Sequence, residues 1–253
     1  MARLRYPVTT VVYGAVMRGL VELVAPVRCG ACGEVGEELC ERCARDVAVL
    51  GPPWCRRCGT PGDASPCPAC SGLGGFARAR SLVAFVEPAR RLTLDLKRRG
   101  RRRLAGAIGE LLASLAEREG IEAADAVTWV PGGRSTIRAG YDHTRLLATA
   151  TAAALGLPAL GLLRRAAEGP RQADVPLERR RSNVRGRFVV TGAAGSAPVV
   201  LLVDDVFTTG ATAEACSMAL TSAGATSVDV ITWARTLRSR APGPPGTTAI
   251  LST

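Results

Sequence analysis

The sequence predicts an α/β protein with a parallel sheet, preceded by a small cysteine-rich module that folds around metal. Segments typical of strands alternate with segments typical of helices between residues 81 and 233, which is the pattern of a parallel sheet covered by helices. Eight of the nine cysteines fall between residues 29 and 70. The 253 residues suffice for one large domain or two of ordinary size, and the 47% hydrophobic content indicates a globular protein.

Residues 1–26 have the pattern of an amphipathic segment that packs against the rest of the protein. Arg18 and Glu22 interrupt the apolar stretch 7–27, whereas a membrane-spanning helix needs about 20 largely uncharged residues. Residues 25–27 make a poor signal-peptide cleavage site. We therefore expect no transmembrane segment and a cytoplasmic protein, with peripheral contact at the inner membrane face as the alternative.

The module at residues 27–72 contains four Cys-x-x-Cys pairs, which supply enough thiolates for two structural tetrahedral Zn²⁺ sites. The candidate zinc ligands are Cys29, Cys32, Cys40, Cys43, Cys55, Cys58, Cys67 and Cys70. Similar spacings within each half favour pairing along the chain, with a cross-braced arrangement as the alternative. The module is too short and polar for a good core, so metal would supply its folding energy. Disulfides and an iron–sulfur cluster are the alternatives, and the separate Cys216 is expected to be a small core residue.

A glycine-rich join at residues 71–80 leads into the α/β part of the chain. The predicted strands are 81–87, 126–130, 199–203 and 227–233, and the predicted helices are 104–119, 142–155 and 211–223. The second strand is followed by Pro131, Gly132, Gly133 and Arg134. Glycines at a strand end let the backbone approach a ligand, and an arginine suits a phosphate.

Residues 199–212 are the most informative stretch of the sequence. A buried strand ends in Asp204 and Asp205. The turn and helix start that follow are Thr208, Thr209, Gly210, Ala211 and Thr212. Backbone N–H groups and hydroxyls at such a helix N-terminus form an anion site. The carboxylates can accept hydrogen bonds from ribose hydroxyls or hold Mg²⁺ that bridges to phosphate. This chemistry predicts a site for a phosphorylated ribose.

The formal net charge is +11, and one basic run carries six positive charges in seven residues. The run consists of Lys97, Arg98, Arg99, Arg101, Arg102 and Arg103. It has two interpretations, a solvated helix start or a contact with the phosphates of nucleic acid or of the ligand. Neither this run nor the shorter one at 179–181 contains aromatic residues that would stack on bases. Nucleic-acid contact would therefore be mainly electrostatic.

Residues 199–212 closely resemble the 5-phosphoribosyl 1-pyrophosphate (PRPP) motif of type I phosphoribosyltransferases. The resemblance implies a phosphoribosyltransferase-like fold and a catalytic acidic pair, Asp204 and Asp205, that binds the ribose. It implies that Thr208–Thr212 hold the 5′-phosphate and that PRPP binds with Mg²⁺. Gly132, Gly133, Arg134 and Lys97 are the other candidate PRPP contacts. Residues 71–99 should cover the site, as the hood does in that family.

Cysteine pairs followed by this motif resemble the ComF family of competence-associated bacterial proteins, over about residues 20–236. The other landmarks are Leu96-Lys97 with Gly100, Val130-Pro131, Gly140-Tyr141-Asp142-His143, Gln172, Arg180, Asn183, Phe188 and Ala234-Arg235. The resemblance implies a double zinc ribbon at 27–72, a phosphoribosyltransferase-like domain at 73–238 and a flexible tail at 239–253. It also implies a role in DNA uptake during natural transformation, with single-stranded DNA and an ATPase of the uptake machinery as partners.

Two functions stay open at this point. The first is a Mg²⁺-dependent phosphoribosyltransferase that acts on a nitrogenous base or a nucleic acid end. The second is a non-catalytic module with a relic phosphoribosyl site that binds single-stranded DNA or a partner protein. His143, the only histidine, could serve as an acid or base, or could lie on a helix face without a chemical role.

Overall fold

The computed structural model describes residues 26–99, 101–121, 123–133, 136, 140–166, 187–191 and 197–237. The helices are α1 (Glu41–Arg45), α2 (Ala89–Arg99), α3 (Arg102–Arg118), α4 (His143–Leu155) and α5 (Ala211–Ser222). The strands are β1 (Arg78–Ala84), β2 (Ala126–Trp129), β3 (Leu163–Arg165), β4 (Phe188–Val190), β5 (Val199–Phe207) and β6 (Ser227–Arg235). Several predicted features lie outside the described residues: the amphipathic segment before Pro26, Arg134, Gln172, Asn183, the run 179–181 that includes Arg180, and the tail 239–253.

Four strands form a parallel sheet in the order β1-β6-β5-β2. Their near-continuous apolar runs, such as 200–203 and 230–231, are buried because helices cover both faces of the sheet. The predicted parallel α/β architecture is confirmed. The pair β3 and β4 forms a separate antiparallel sheet, which was not predicted because both strands are only three residues long.

Side chains alternate between two cores, one on each side of the sheet. One core joins the sheet to α3 and α4 and includes Leu201, Val203, Ile231 and Trp233. The other joins it to α5 and includes Val200, Leu202, Val228, Val230 and Cys216. Successive strand residues point to opposite faces, so neighbouring residues of β5 necessarily serve different cores. Cys216 is a buried core residue, as expected.

Two boundaries differ from the sequence-based expectation in ways that affect the site. Strand β5 was expected to end at Val203, but it stays paired with β6 as far as Phe207. The acidic pair therefore lies inside the sheet ladder rather than beyond the strand. Residues 78–84 form an edge strand of the sheet and not part of a cover. Helix α2 was not predicted, and it places Lys97 next to Asp205.

The cysteine-rich module covers the open edge of β1. Leu50 N donates to Leu82 O at 2.8 Å, and Ala84 N donates to Ala48 O at 2.8 Å. Exposed sheet edges are prone to pairing with other chains, so the module protects this one. Among the helices in the described part of the chain, none combines the length and the apolar character that crossing a membrane requires.

Candidate functional site

The eight spaced cysteines form two groups of four, 29/32/40/43 and 55/58/67/70, and the sulfur atoms of each group lie within 4.8 Å of one another. The Sγ–Sγ distance is 3.7 Å for Cys32 and Cys40, and 3.6 Å for Cys55 and Cys70. A tetrahedron with Zn–S bonds of about 2.3 Å separates its sulfurs by about 3.8 Å. Both groups therefore fit Zn²⁺, and the predicted pairing along the chain is confirmed over the cross-braced alternative.

Backbone N–H groups favour the thiolates of Cys29 and Cys55, whereas burial raises the pKa of Cys43, Cys58 and Cys70. Burial raises the pKa of Cys29, but N–H donors that include Cys40 N at 3.5 Å outweigh it and lower the pKa to about 6. Burial likewise raises the pKa of Cys55, and the N–H groups of Cys58 and Cys67 lower it to about 6. Thiolates are the form that binds metal.

The two groups differ in their surroundings. In the first group, which we call the first zinc site, Cys32 is exposed and Cys40 half-buried. In the second group, the second zinc site, all four cysteines are buried. The Arg235 guanidinium, at the end of β6, donates to Cys58 O at 2.6 Å and lies 3.7 Å from Cys58 Sγ. The second zinc site is thus packed directly against the sheet.

Strand β5 carries the acidic pair, and Asp205 N donates to Asp204 Oδ1 at 2.9 Å. Asp205 Oδ2 lies 2.5 Å from Lys97 Nζ and 3.1 Å from His143 Nε2. Burial raises the pKa of Asp205, but the His143 hydrogen bond and the Lys97 charge outweigh it and lower the pKa to about 2. For Asp204, burial and the charge of Asp205 hold the pKa well above its usual value. The two carboxyls are therefore chemically distinct.

The basic run at residues 97–103 is partly turned inward. Lys97 faces Asp205. Arg101 Nε lies 2.5 Å from Asp95 Oδ2, and Arg101 Nη1 lies 3.2 Å from Glu38 Oε2. Its side chain is 19% exposed and also bonds Arg28 O, so Arg101 fastens the first zinc site to α2. Arg98, Arg102 and Arg103 are exposed.

The turn after β5, which we call the phosphate loop, consists of residues 208–210. Thr208 and Thr209 are exposed, and Thr209 Oγ1 accepts from Ala211 N at 3.4 Å. Gly210 has a φ of +81° at the N-cap of α5. The first N–H groups of a helix have no partner within it, so the N–H of Thr212 is a donor beside two exposed hydroxyls. This arrangement suits a phosphate.

A second glycine loop, residues 131–133, follows β2. Gly132 N donates to Asp142 Oδ2 at 3.1 Å. Arg165 Nε donates to Pro131 O at 3.0 Å and Gly132 O at 3.1 Å, while its guanidinium lies 5.1 Å from the centre of the Phe188 ring. Sequence reasoning missed Arg165, since nothing local distinguishes it from other arginines. It adds a cation at the loop where a pyrophosphate contact was expected.

Residues 140–143 tie the separate parts of the site together. Tyr141 Oη donates to Leu96 O at 3.0 Å, next to Lys97. Asp142 caps α4 by accepting from Thr144 N at 3.1 Å. His143, the first residue of α4, contacts Asp205. His143 therefore begins α4 and contacts Asp205, and its acid or base role stays a prediction.

Comparison with family models identifies the N-terminal module. Residues 20–72 match the double zinc ribbon domain. The module is a double zinc ribbon. A comparison with curated proteins found no significant match.

Two solved structures are similar to part of the chain. One is an allosteric regulatory enzyme of purine biosynthesis, with 26% identity over 55% of this chain and a TM-score of 0.38. The other is glutamine PRPP amidotransferase from B. subtilis, with 26% identity over 55% of this chain and a TM-score of 0.39. The matched region spans 30% of each of those chains.

Proposed function

We propose that this chain binds a phosphoribosyl ligand, PRPP or ribose 5-phosphate, together with Mg²⁺. One observation carries the proposal: a single strand–turn–helix unit holds the acidic pair, the phosphate loop and the N-terminus of α5. The carboxyls would hold the ribose hydroxyls and the loop the 5′-phosphate.

The oxygen donors of Asp204 and Asp205 have the chemistry that Mg²⁺ requires. When bound, the metal would neutralise phosphate charge. Lys97 Nζ forms an ion pair with Asp205 Oδ2 in this structure. When the ligand binds, Lys97 would either share that carboxylate with it or turn toward a pyrophosphate. Arg165 and the loop at 131–133 would lie toward the pyrophosphate end.

As an enzyme, the chain would replace pyrophosphate at C1 of the ribose by an acceptor nitrogen, which gives up its proton. The protein would orient the ribose and stabilise the leaving charge electrostatically. We further propose membership of the ComF family and a role in DNA uptake during transformation. This rests on the double zinc ribbon followed by the PRPP motif and on the 140–143 segment, in which His143 contacts Asp205.

Isothermal titration of the zinc-loaded protein tests the ligand. We expect PRPP and ribose 5-phosphate to bind more tightly with Mg²⁺, and we expect Asp204→Asn combined with Asp205→Asn to remove that dependence. Glu87→Gln is the control, because Glu87 is exposed and pairs only with Arg90 among the described residues. Equal binding by the double variant and the control would contradict the proposal.

Single-stranded DNA binding is the second candidate function, favoured by the exposed Arg98, Arg102 and Arg103 at the α2–α3 junction. An ATPase of the uptake machinery could use the same surface. Each phosphate neutralised contributes roughly 0.7 to the log–log salt slope. Arg98→Gln with Arg102→Gln should therefore flatten the slope by about 1.4.

The matched control for the DNA experiment is Arg45→Gln with Arg90→Gln, which removes equal charge away from the junction. Both of these arginines are exposed, with side chains 67% and 55% accessible. If the two double variants change the slope equally, only net charge matters and the α2–α3 junction is not a binding surface.

A further inference from the structure

Arg235 is a buried arginine whose charge has an unusual partner. It is 4% exposed, and burying an unpaired charge is costly. Its guanidinium donates to Cys58 O at 2.6 Å and Thr60 Oγ1 at 2.6 Å, and it lies 3.7 Å from Cys58 Sγ. Within the described residues it has no carboxylate partner, and the negative charge beside it comes from the cysteine sulfurs.

Zinc makes that partner anionic. Four thiolates around Zn²⁺ carry a net charge of about −2, and metal binding requires the thiols to be deprotonated. The loaded second zinc site therefore neutralises Arg235. The first zinc site has a cation beside it as well, Arg42 next to Cys32, but the Arg42 side chain is 67% exposed. Water screens that pair, whereas the Arg235 pair is inside the protein.

The same guanidinium touches the base of the phosphate loop. It lies 4.4 Å from the centre of the Phe207 ring, and Phe207 is the last residue of β5. Thr236 N donates to Phe207 O at 3.0 Å. A Cβ built on Gly210 would fall 2.8 Å from Phe207 Cζ, so the ring directly backs the loop residue that caps α5.

A second connection runs through the chain that leaves the second zinc site. Leu73 packs against the four cysteines, and its Cδ1 lies 2.5 Å from the position of a Cβ on Gly210. Arg57 Nη2 donates to Leu73 O at 2.5 Å. Gly74 N donates to Glu214 Oε1, in the first turn of α5, at 2.8 Å. The zinc site and the phosphate loop thus share two walls, Phe207 and Leu73.

We propose that Arg235 is a positioning residue that couples the second zinc site to the phosphate loop, so that zinc there and a phosphorylated ligand at the loop strengthen each other's binding. The proposal rests on the ligand site proposed above. Coupling between two binding equilibria is reciprocal, so it can be measured from the zinc side as well as from the ligand side.

The test measures zinc release from the full-length protein to a coloured chelator, with and without ribose 5-phosphate. We expect two phases, a fast one from the exposed first site and a slow one from the buried second site. Arg42→Gln should alter only the fast phase, and Arg235→Gln should accelerate only the slow one. In the wild type, saturating ribose 5-phosphate should slow the slow phase, and it should raise the equilibrium affinity of the second site for zinc about fivefold or more, at the lower end of typical coupling. In Arg235→Gln this effect should shrink markedly.

Three results would overturn the proposal, and calorimetry on the same samples separates them. If ribose 5-phosphate binds but changes neither phase, the ligand site stands and the coupling is wrong. If Arg235→Gln keeps the full ligand effect, another residue carries the coupling. If the wild type does not bind the ligand at all, the proposed function fails and the coupling fails with it. Should Arg235→Gln be insoluble, the effect of ligand on wild-type zinc release still decides.

Discussion

Neutralising the two neighbouring carboxyls should have opposite effects on stability. Asp204→Asn should raise the free energy of unfolding at pH 7 and Asp205→Asn should lower it. Burial and the neighbouring charge raise the folded-state pKa of Asp204. Ionisation of this carboxyl therefore lowers the free energy of unfolding as pH rises through that pKa. Burial raises the pKa of Asp205, but the His143 hydrogen bond and the Lys97 charge outweigh it and lower the pKa. Its contribution is therefore present above its unfolded pKa and is lost as pH falls through the folded one.

The size of the Asp205 effect follows from its surroundings. Its pKa falls from 3.8 to about 2, which corresponds to roughly 2 kcal/mol at 1.36 kcal/mol per pKa unit. The Lys97 side chain is 38% exposed, and solvent screens part of that interaction, so roughly 2 kcal/mol is an upper value for Asp205→Asn. Asp204→Asn should gain stability and lose ligand binding, which is a trade-off common at functional sites.

Urea unfolding of both variants and the wild type, without Mg²⁺ or ligand, measures the effect. The series should stay above about pH 5.5, because protons compete for the zinc-binding thiolates in acid. The wild type should lose stability with rising pH relative to Asp204→Asn. A change of the same sign in both variants would refute the asymmetry of the pair, and so would a stabilising Asp205→Asn.

The remaining predictions concern metal content and the phosphate loop. Elemental analysis should find about two zinc ions per chain, and iron in place of zinc would reject the assignment. Cys58→Ser should lower the free energy of unfolding more than Cys32→Ser, because Cys58 is buried against the sheet and Cys32 is exposed. Gly210→Ala should destabilise more than Gly156→Ala and should weaken ligand binding, whereas Gly156→Ala should not. Both glycines have positive φ, +81° and +68°, a conformation that costs alanine roughly 1–2 kcal/mol. Of the two, only Gly210 has a neighbour that an added Cβ would meet, Leu73 Cδ1 at 2.5 Å. Equal losses of stability in the two variants would show that this contact does not matter.

Local patterns predicted the zinc groups and the strand–turn–helix unit. Cys-x-x-Cys spacing fixes which thiols can share a metal, and an apolar run ending in a glycine turn needs no distant information. The end of β5 was missed because it depends on pairing with a neighbouring strand, β6. The β6 ladder extends to Arg235 opposite Phe207, and that pairing keeps Asp204 and Asp205 in extended conformation although isolated carboxylates disfavour strands.

Contacts between distant residues could not be predicted in this way. Lys97 and His143 are 108 and 62 positions from Asp205 along the chain, and only the packing of α2 and α4 on the sheet brings them together. From sequence, Lys97 belonged to a run of cations that suited phosphates. In the structure its nearest anion is a carboxylate of the protein itself.

The net charge of +11 is for this reason a poor measure of how strongly the chain attracts polyanions. Arg78 pairs with Asp229 and Arg80 with Glu119, while Arg101 and Arg235 fasten the two zinc sites to the domain. These four cations pair with negatively charged groups of the protein itself, and their exposed fractions differ. Only exposed cations release counterions when nucleic acid binds. The salt slope of DNA binding should therefore follow the exposed α2–α3 arginines, and it should be far smaller than the net charge alone would give.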